Sequence, residues 1–408
     1  MKPIVDCKEH RSLLPSEPRF DTVVVRLGGE IGIKAAWTRK LYERRLVANI
    51  KAVMKQYAIS YAGFNRRFGR LYIKTAQAEE TAKRLSRVFG VSSISPALET
   101  TSNLDDILSI SVGLAGSRFR KGKNFAVRCH RVGKHPYASK DVCRQVGHEI
   151  IVSLPKLDLQ VDLTHPEQTL NIEVREDKAY VFTDTIRGVG GLPLGTQPKL
   201  VSLLKGDASS AVACWMTMKR GCPAIVVHFK NDVLTNKLVN ERMIPTAQSL
   251  MEWSTGFPRK LYVIEHKENF QKLTQKYPLA LSNLLCKRLM LHIAQDIARM
   301  KKAEGIVTGD SLGKKANQTL HAFRIQDEAV KDFPIYRPLL GLNAHDIEEI
   351  AQRIGLEEST LQEAKSNAEV KEGEIAAIKL EDVKRIEKEL DTEKIIEDAL
   401  KSLKILRV

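Results

Sequence analysis

Residues Gly190-Gly191-Leu192-Pro193-Leu194-Gly195 lead into an apolar run over 200–204. The polar turn Lys205-Gly206-Asp207-Ala208-Ser209-Ser210 follows, and then a helix predicted over 211–219. A buried strand that turns on small residues straight into a helix points to an α/β arrangement, since parallel strands need helical crossovers. The same turn gathers free backbone N–H groups and a helix dipole at one point, which suits a phosphate. Downstream the pattern repeats. Strands are predicted over 200–204, 224–229, 260–265 and 305–308, and helices over 211–219, 231–239, 282–302 and 344–354. Such alternation predicts a doubly wound parallel sheet, with ligands bound at the carboxyl ends of its strands.

Upstream the order differs. A strand over 20–27, a helix over 38–57, a strand over 70–75, a helix over 78–88 and a strand over 91–99 suggest a small α+β unit of ferredoxin-like type. A second α+β domain is predicted from a helix over 103–116 capped by Asn103, a strand over 124–128, a helix over 139–153 and strands over 169–174 and 178–184. Apolar residues Ile375, Ile378, Leu380, Val383, Ile386 and Leu390 mark amphipathic helices in a charged tail, docked or partly free, with a break near Asp391-Thr392. The expected division is 1–80, 81–187, 188–360 and 361–408.

Lysine and arginine outnumber acids 65 to 49 over 408 residues, a net charge of +16 that favours a polyanion partner. The cations cluster. Arg118, Arg120, Lys121, Lys123, Arg128, Arg131, Lys134, His135 and Lys140 fall within about twenty residues, a density that can neutralise several RNA phosphates, with Phe119 or Tyr137 placed to stack on a base. Arg66-Arg67-Phe68-Gly69-Arg70 forms a second patch. His130 and His135 lack further ligands at metal-binding spacing, so no metal site is expected. No apolar run reaches about 18 residues and the first sixteen residues lack a secretory pattern. The six cysteines carry no C-x-x-C pairing. No membrane partner and a cytoplasmic setting are expected.

Further fragments complete a candidate site: His228-Phe229 at a strand end, Cys286-Lys287-Arg288 in a helix, and Thr308-Gly309-Asp310-Ser311-Leu312-Gly313 before Gln318-Thr319-Leu320. A basic residue here can hold an α-phosphate, the Gly309 backbone can let an adenine ring lie flat, and Gln318 can hydrogen-bond a ribose or base edge. Together with Gly29-Glu30-Ile31-Gly32-Ile33-Lys34, Val88-Phe89-Gly90-Val91, Arg131-Val132-Gly133-Lys134-His135-Pro136 and Met218-Lys219-Arg220-Gly221, these fragments make the chain, over about 20–360, resemble the tRNA 4-thiouridine sulfurtransferase family. The resemblance implies a ferredoxin-like domain, a THUMP RNA-binding domain and a PP-loop ATP-pyrophosphatase domain, followed here by the helical tail. It implies that ATP, with Mg2+, adenylates a tRNA uridine carbonyl, and that a persulfide-carrying donor protein then delivers sulfur with release of AMP. It also suggests a homodimer. Positions matching the family's ATP contacts are Leu203, Leu204, His228, Phe229, Lys287, Gly309 and Gln318, with Lys205, Gly206 and Ser210 in the loop.

The loop departs from the family's Ser-Gly-Gly-x-Asp-Ser. Lys205 replaces the first serine, Asp207 the second glycine and Ser209 the aspartate; Gly206 and Ser210 remain. Asp207 is expected to turn negative charge toward pyrophosphate unless Lys205 or magnesium neutralises it. Where many archaeal members carry Cys-x-x-Cys, this chain has Asn283-Leu284-Leu285-Cys286. Cys286 is the expected sulfur-handling nucleophile, its pKa lowered by the adjacent Lys287 and Arg288. Three readings follow: a tRNA-thiolating enzyme, a tRNA-binding relative with a weakened or inactive loop acting as binding factor or partner subunit, and an ATP-dependent ligase on the same fold.

Overall fold

The computed structural model describes residues 18–67, 69–230, 237–313, 317–356 and 371–408. Its contacts divide the chain into two compact units. One comprises residues up to 27, 57–86 and 92–188; the other comprises 28–56, 87–91 and 189–408.

The first unit is built on a sheet of nine strands among the described residues: β1 Thr22–Leu27, β2 Gly63–Arg67, β3 Arg70–Lys74, β4 Val91–Thr101, β5 Asn124–Arg131, β6 Gln160–Val161, β7 Gln168–Arg175, β8 Lys178–Phe182 and β9 Ile186–Arg187. Their order is β2-β3-β1-β4-β8-β7-β5-β6, with β9 pairing β4. The eleven-residue β4 joins the ferredoxin-like half to the THUMP half, pairing β9 through Ser93 and Ile94 and β8 from Leu98 to Thr101. Helices Leu104–Arg118 and Ser139–Ser153 cover the THUMP half, the first capped by Asn103 as expected. The basic stretch at 66–70 proves to be part of a hairpin between β2 and β3. Arg67 pairs with Glu176 and Asp177, and Arg70 lies near Glu173.

The second unit carries β10 Lys199–Leu203, β11 Ala224–Lys230, β12 Lys260–Glu265, β13 Ala303–Val307, β14 Ile335–Tyr336 and β15 Lys404–Arg407, in the order β14-β13-β10-β11-β12-β15. All pairings are parallel except β12 with β15. The alternation along each strand explains the double winding. Val201, Leu203, Ile225, Val227 and Ile264 face one apolar cluster, with the helix residues Leu291, Ile293 and Ile297. Leu200, Leu204, Val226 and Leu261 face another, with Ala211, Val212 and Trp215. Both sheet faces are therefore buried, as a parallel sheet requires.

Helix Ala208–Lys219 starts three residues earlier than predicted, and Leu279–Lys301 also starts three earlier. Residues 231–236 of the predicted 231–239 helix lie outside the described residues; a helix runs over Lys237–Met251. The tail is docked. Ile375, Val383 and Ile386 are buried, Asp391 breaks the helices at positive φ, and β15 extends the sheet edge, a strand that periodicity alone did not reveal.

Candidate functional site

Strand β10 ends at Leu203, and Leu204 N–H still donates to Val227 O at 2.8 Å. Leu203 and Leu204 bury their side chains in the two sheet faces, so only their backbone can meet a ligand. Gly206 then takes φ +75°, a left-handed turn that glycine adopts without strain. Asp207 N-caps the helix: its Oδ1 accepts from Ser210 N–H at 2.8 Å and from Ser210 Oγ at 2.6 Å, while Ser210 Oγ accepts from Lys205 N–H at 3.0 Å. This overturns the expectation that Asp207 turns its charge on a phosphate. An aspartate is a preferred cap because its oxygen satisfies a helix N–H that has no intrahelical partner, and here that bond holds the carboxylate against the helix. Replacing Asp207 by alanine is expected to destabilise the chain by about 1 kcal/mol, read as a lowered urea midpoint at unchanged slope. An unmoved midpoint would mean that the cap contributes nothing.

The segment after β13 closes on this turn. A side chain at Gly309 would place a Cβ 2.6 Å from Ser210 N, so glycine is needed for the two loops to touch. The Cβ side of Gly309 faces the start of the helix. The touching loops bring Asp310, buried at 3% exposure, against Lys287, whose Nζ lies 3.1 Å from Oδ2. Burial alone would raise the Asp310 carboxyl, yet Lys287 and Lys205 hold it well below the usual carboxylate range. Burial pushes Lys287 down to about 8 despite Asp310. Burial also opposes the charge on Lys205, but Asp310 and Asp207 outweigh it and raise its pKa. Gln318 donates to Asp310 Oδ1 at 3.4 Å, and its Oε1 has no hydrogen-bond partner among the described residues. His228 presents Nδ1 3.0 Å from Leu204 O, which makes Nδ1 the protonated nitrogen because a carbonyl only accepts. Lys205 and Lys287, with Arg337 Nε 3.9 Å from Asp310, stand against the carboxylates of Asp310 and the capping Asp207, and with the helix N-terminus at the carboxyl ends of β10 and β13 they form a candidate anion site. Asp310 is a member that the sequence reading did not single out; its signal was an acid two residues past a predicted strand, inside a quoted motif.

Cys286 differs from expectation. It lies in helix Leu279–Lys301, buried at 2% exposure, and burial pushes its thiol up to about 12 although Lys205 and Lys287 pull the other way. The lowered pKa anticipated from its basic neighbours is therefore wrong for this structure. Desolvation outweighs the nearby charge, and Arg288 points elsewhere, to Glu387, Glu328 and Ile325 O. His266, at the end of β12, sets Nε2 3.2 Å from Cys286 Sγ. Burial lowers its pKa to about 4, so it is a neutral ring, and its Nδ1 has no partner among the described residues. His266 was not anticipated; nothing near it in the chain marks it. Phe229 packs edge-on against its ring.

In the first unit, Arg120, Lys121, Lys134 and Lys140 are exposed. Arg118 pairs with Glu79, Lys123 with Glu167, and Arg128 donates to Leu163 O. Arg131 donates to Gly133 O, and His135 donates through Nε2 to Glu176 O. Arg128, Lys140 and Arg144 line a cavity of about 1060 Å³ with an apolar floor that includes Phe125 and Ile172. Phe119 does not present itself to a base: it is buried against Phe125. Tyr137 stacks on His135 and donates its hydroxyl to Ser102 O. Apolar transfer and satisfied hydrogen bonds account for both.

A parallel α/β sheet with an anion site at its strand ends, carried with a THUMP module, defines a PP-loop nucleotide-dependent enzyme. Three family profiles match: the ThiI ferredoxin-like domain over residues 22–95, the THUMP domain over 101–184, and Thiamine biosynthesis protein (ThiI) over 195–392. The probable tRNA sulfurtransferase of Methanosarcina acetivorans is 35% identical over 402 residues, 97% of this chain and 96% of that one. The probable tRNA sulfurtransferase of Methanobrevibacter smithii is 35% identical over 397 residues, 94% and 99% of the two chains. A crystal structure described as a 4-thiouridine synthetase–RNA complex with bound ATP is similar at a TM-score of 0.80 and 26% identity, over 95% of this chain and 99% of that one. The chain belongs to the tRNA sulfurtransferase family.

Proposed function

We infer that this protein uses ATP to activate a uridine of tRNA and replaces the carbonyl oxygen with sulfur, giving 4-thiouridine. The observation that carries this reading is the anion site beside Cys286, formed by Lys205, Lys287, Asp310 and the capped helix, in a chain of this family. The uridine oxygen attacks the α-phosphorus of ATP; that O–P bond forms and the bond to pyrophosphate breaks. Lys205 and Lys287 offset charge on the phosphates, and the helix N-terminus adds N–H donors. Gln318 offers its amide oxygen to the nucleotide, while the Leu203–Leu204 backbone, His228, Phe229 and Gly309 wall the site. Sulfur from a donor persulfide attacks the ring carbon, and AMP departs with the original oxygen. A thiol then cleaves the sulfur–sulfur bond, leaving the thiocarbonyl on the RNA and a disulfide on protein. Cys286 serves in this sulfur transfer.

Mg2+ would come with ATP and sit on its phosphates, because Asp207 and Asp310 already hold Ser210 and Lys287. The persulfide donor, a homodimer and a cytoplasmic setting complete the reading; among the described residues no helix is long and apolar enough to cross a membrane. The inactive-loop alternative rested on the altered loop as a whole, with Lys205, Asp207 and Ser209 in place of the family's residues; of these the Asp207 carboxylate is committed to the helix cap.

Pyrophosphate release from ATP with unmodified tRNA tests the reading directly. The expected result is release that depends on tRNA; ATP binding without any release would sink it. Neutralising Arg131 and Lys134 together is expected to weaken tRNA binding about tenfold and to lower the salt slope by roughly two. An unaltered slope in a salt titration would remove both from the RNA contact.

A further inference from the structure

The helix Ala36–Gln56 in the second unit has two unlike faces. Tyr42, Leu46, Asn49, Ile50 and Val53 are buried. With about 3.6 residues per turn, Trp37, Lys40, Leu41 and Arg44 fall on the opposite side. Trp37 is 76% exposed and Leu41 46%, and Ile33, in the turn that precedes the helix, is 84% exposed. Lys40 and Arg44 are exposed beside them. Over residues 33–45 the chain carries five basic residues and one acid.

A large indole left in water is costly unless something covers it. The covering group must tolerate dense positive charge. A second copy of this face would bring like charges together, which opposes self-association by an isologous contact. Nucleic acid fits both features, since unpaired bases stack on aromatic rings while phosphates meet flanking cations.

We propose that this helix face is an RNA-docking surface on the second unit, in which Trp37 stacks on an unpaired or splayed base of the tRNA while Lys40 and Arg44 meet adjacent phosphates. The proposal rests on the tRNA reading above and adds a contact outside the basic segment of the first unit. Its place on the unit that holds the anion site suits the task of presenting a uridine there.

The test is tRNA binding by the full chain with three variants across a salt series. Trp37→Ala is expected to weaken binding about ten- to hundredfold with an unchanged salt slope, because stacking releases no counterions. Trp37→Phe is expected to recover most of the affinity. Lys40→Gln with Arg44→Gln is expected to lower the slope instead. Trp37 is too exposed for its loss to unfold the chain, and an unchanged melting temperature checks this. Wild-type affinity in Trp37→Ala would overturn the proposal. So would a Trp37→Ala chain that binds tRNA normally but loses a dimer present in wild type, which would assign the face to a second copy. If the unaltered chain fails to bind tRNA, the sulfurtransferase reading itself falls, and this surface with it.

Discussion

Cys286→Ser is expected to abolish sulfur incorporation into tRNA, by about a thousandfold or more, while tRNA-dependent pyrophosphate release continues. The serine nearly matches the volume but cannot carry or cleave sulfane sulfur, and adenylation needs no thiol. Quantifying 4-thiouridine and pyrophosphate from the same reaction separates the two steps. Retained thiolation would take Cys286 out of the mechanism. The burial of this thiol adds a second readout. With a pKa pushed up to about 12, little thiolate exists at pH 8. Alkylation of Cys286 in the native chain should therefore run about a thousandfold slower than in the unfolded chain. Rapid native alkylation would show the thiol open and ionised. Turnover then requires the site to open so that the thiol can ionise, and His266, 3.2 Å away, is the adjacent hydrogen-bond partner. Its own depressed pKa keeps the ring neutral across the physiological range, so in this buried geometry it can accept a hydrogen bond from the thiol but is too weak a base to take its proton.

Arg288→Ala is expected to destabilise the protein by about 3–5 kcal/mol. The guanidinium is 2% exposed and forms a fork on Glu387 at 2.6 and 2.7 Å, with Glu328 at 3.0 Å. Glu387 belongs to the tail helix Leu380–Glu389, so one side chain ties the tail to the helix that holds Cys286. Val383 and Ile386 of the tail pack with Leu285, Cys286 and Leu289 in the same cluster. Removing the cation strands the largely buried Glu387 carboxylate, while Glu328 keeps Lys384 at 2.6 Å, and the loss comes chiefly from desolvation rather than from the pair's own net strength. The triple variant Arg288→Met, Glu328→Gln, Glu387→Leu is expected to recover most of the stability, because no buried charge is left unpaired and Lys384, which loses Glu328, is exposed to water. Equilibrium urea unfolding decides it: a single-variant loss below about 1 kcal/mol would mean that solvent already screens the cluster.

The architecture was legible because its signals are local. Apolar runs bounded by Gly, Pro and polar turns marked β10 to β13 to within two residues, and a capped helix followed each expectation at Asn103. Elements with weak patterns were missed. β15 carries no partner information within itself, and GFNRR at β2 reads as a basic patch until it pairs with β3. The candidate site was half legible. Lys205 and Gly309 stand just past strand ends, whereas Lys287, inside a helix, and Gln318, in the segment before another, were named from the family resemblance. The direction of a carboxylate, or the ionisation of a thiol, did not follow from type.

Binary patterning and turn chemistry, which act between neighbours along the chain, sufficed to specify an α+β region ahead of a doubly wound sheet, a basic segment and a phosphate-suited turn. Folding alone set the cap role of Asp207, the protonated state of Cys286, the anchoring of the tail and the exposure of Trp37. The physical reason is distance in sequence. Cys286 meets His266 across 20 residues and Arg288 meets Glu387 across 99, and desolvation depends on everything packed around a group at once.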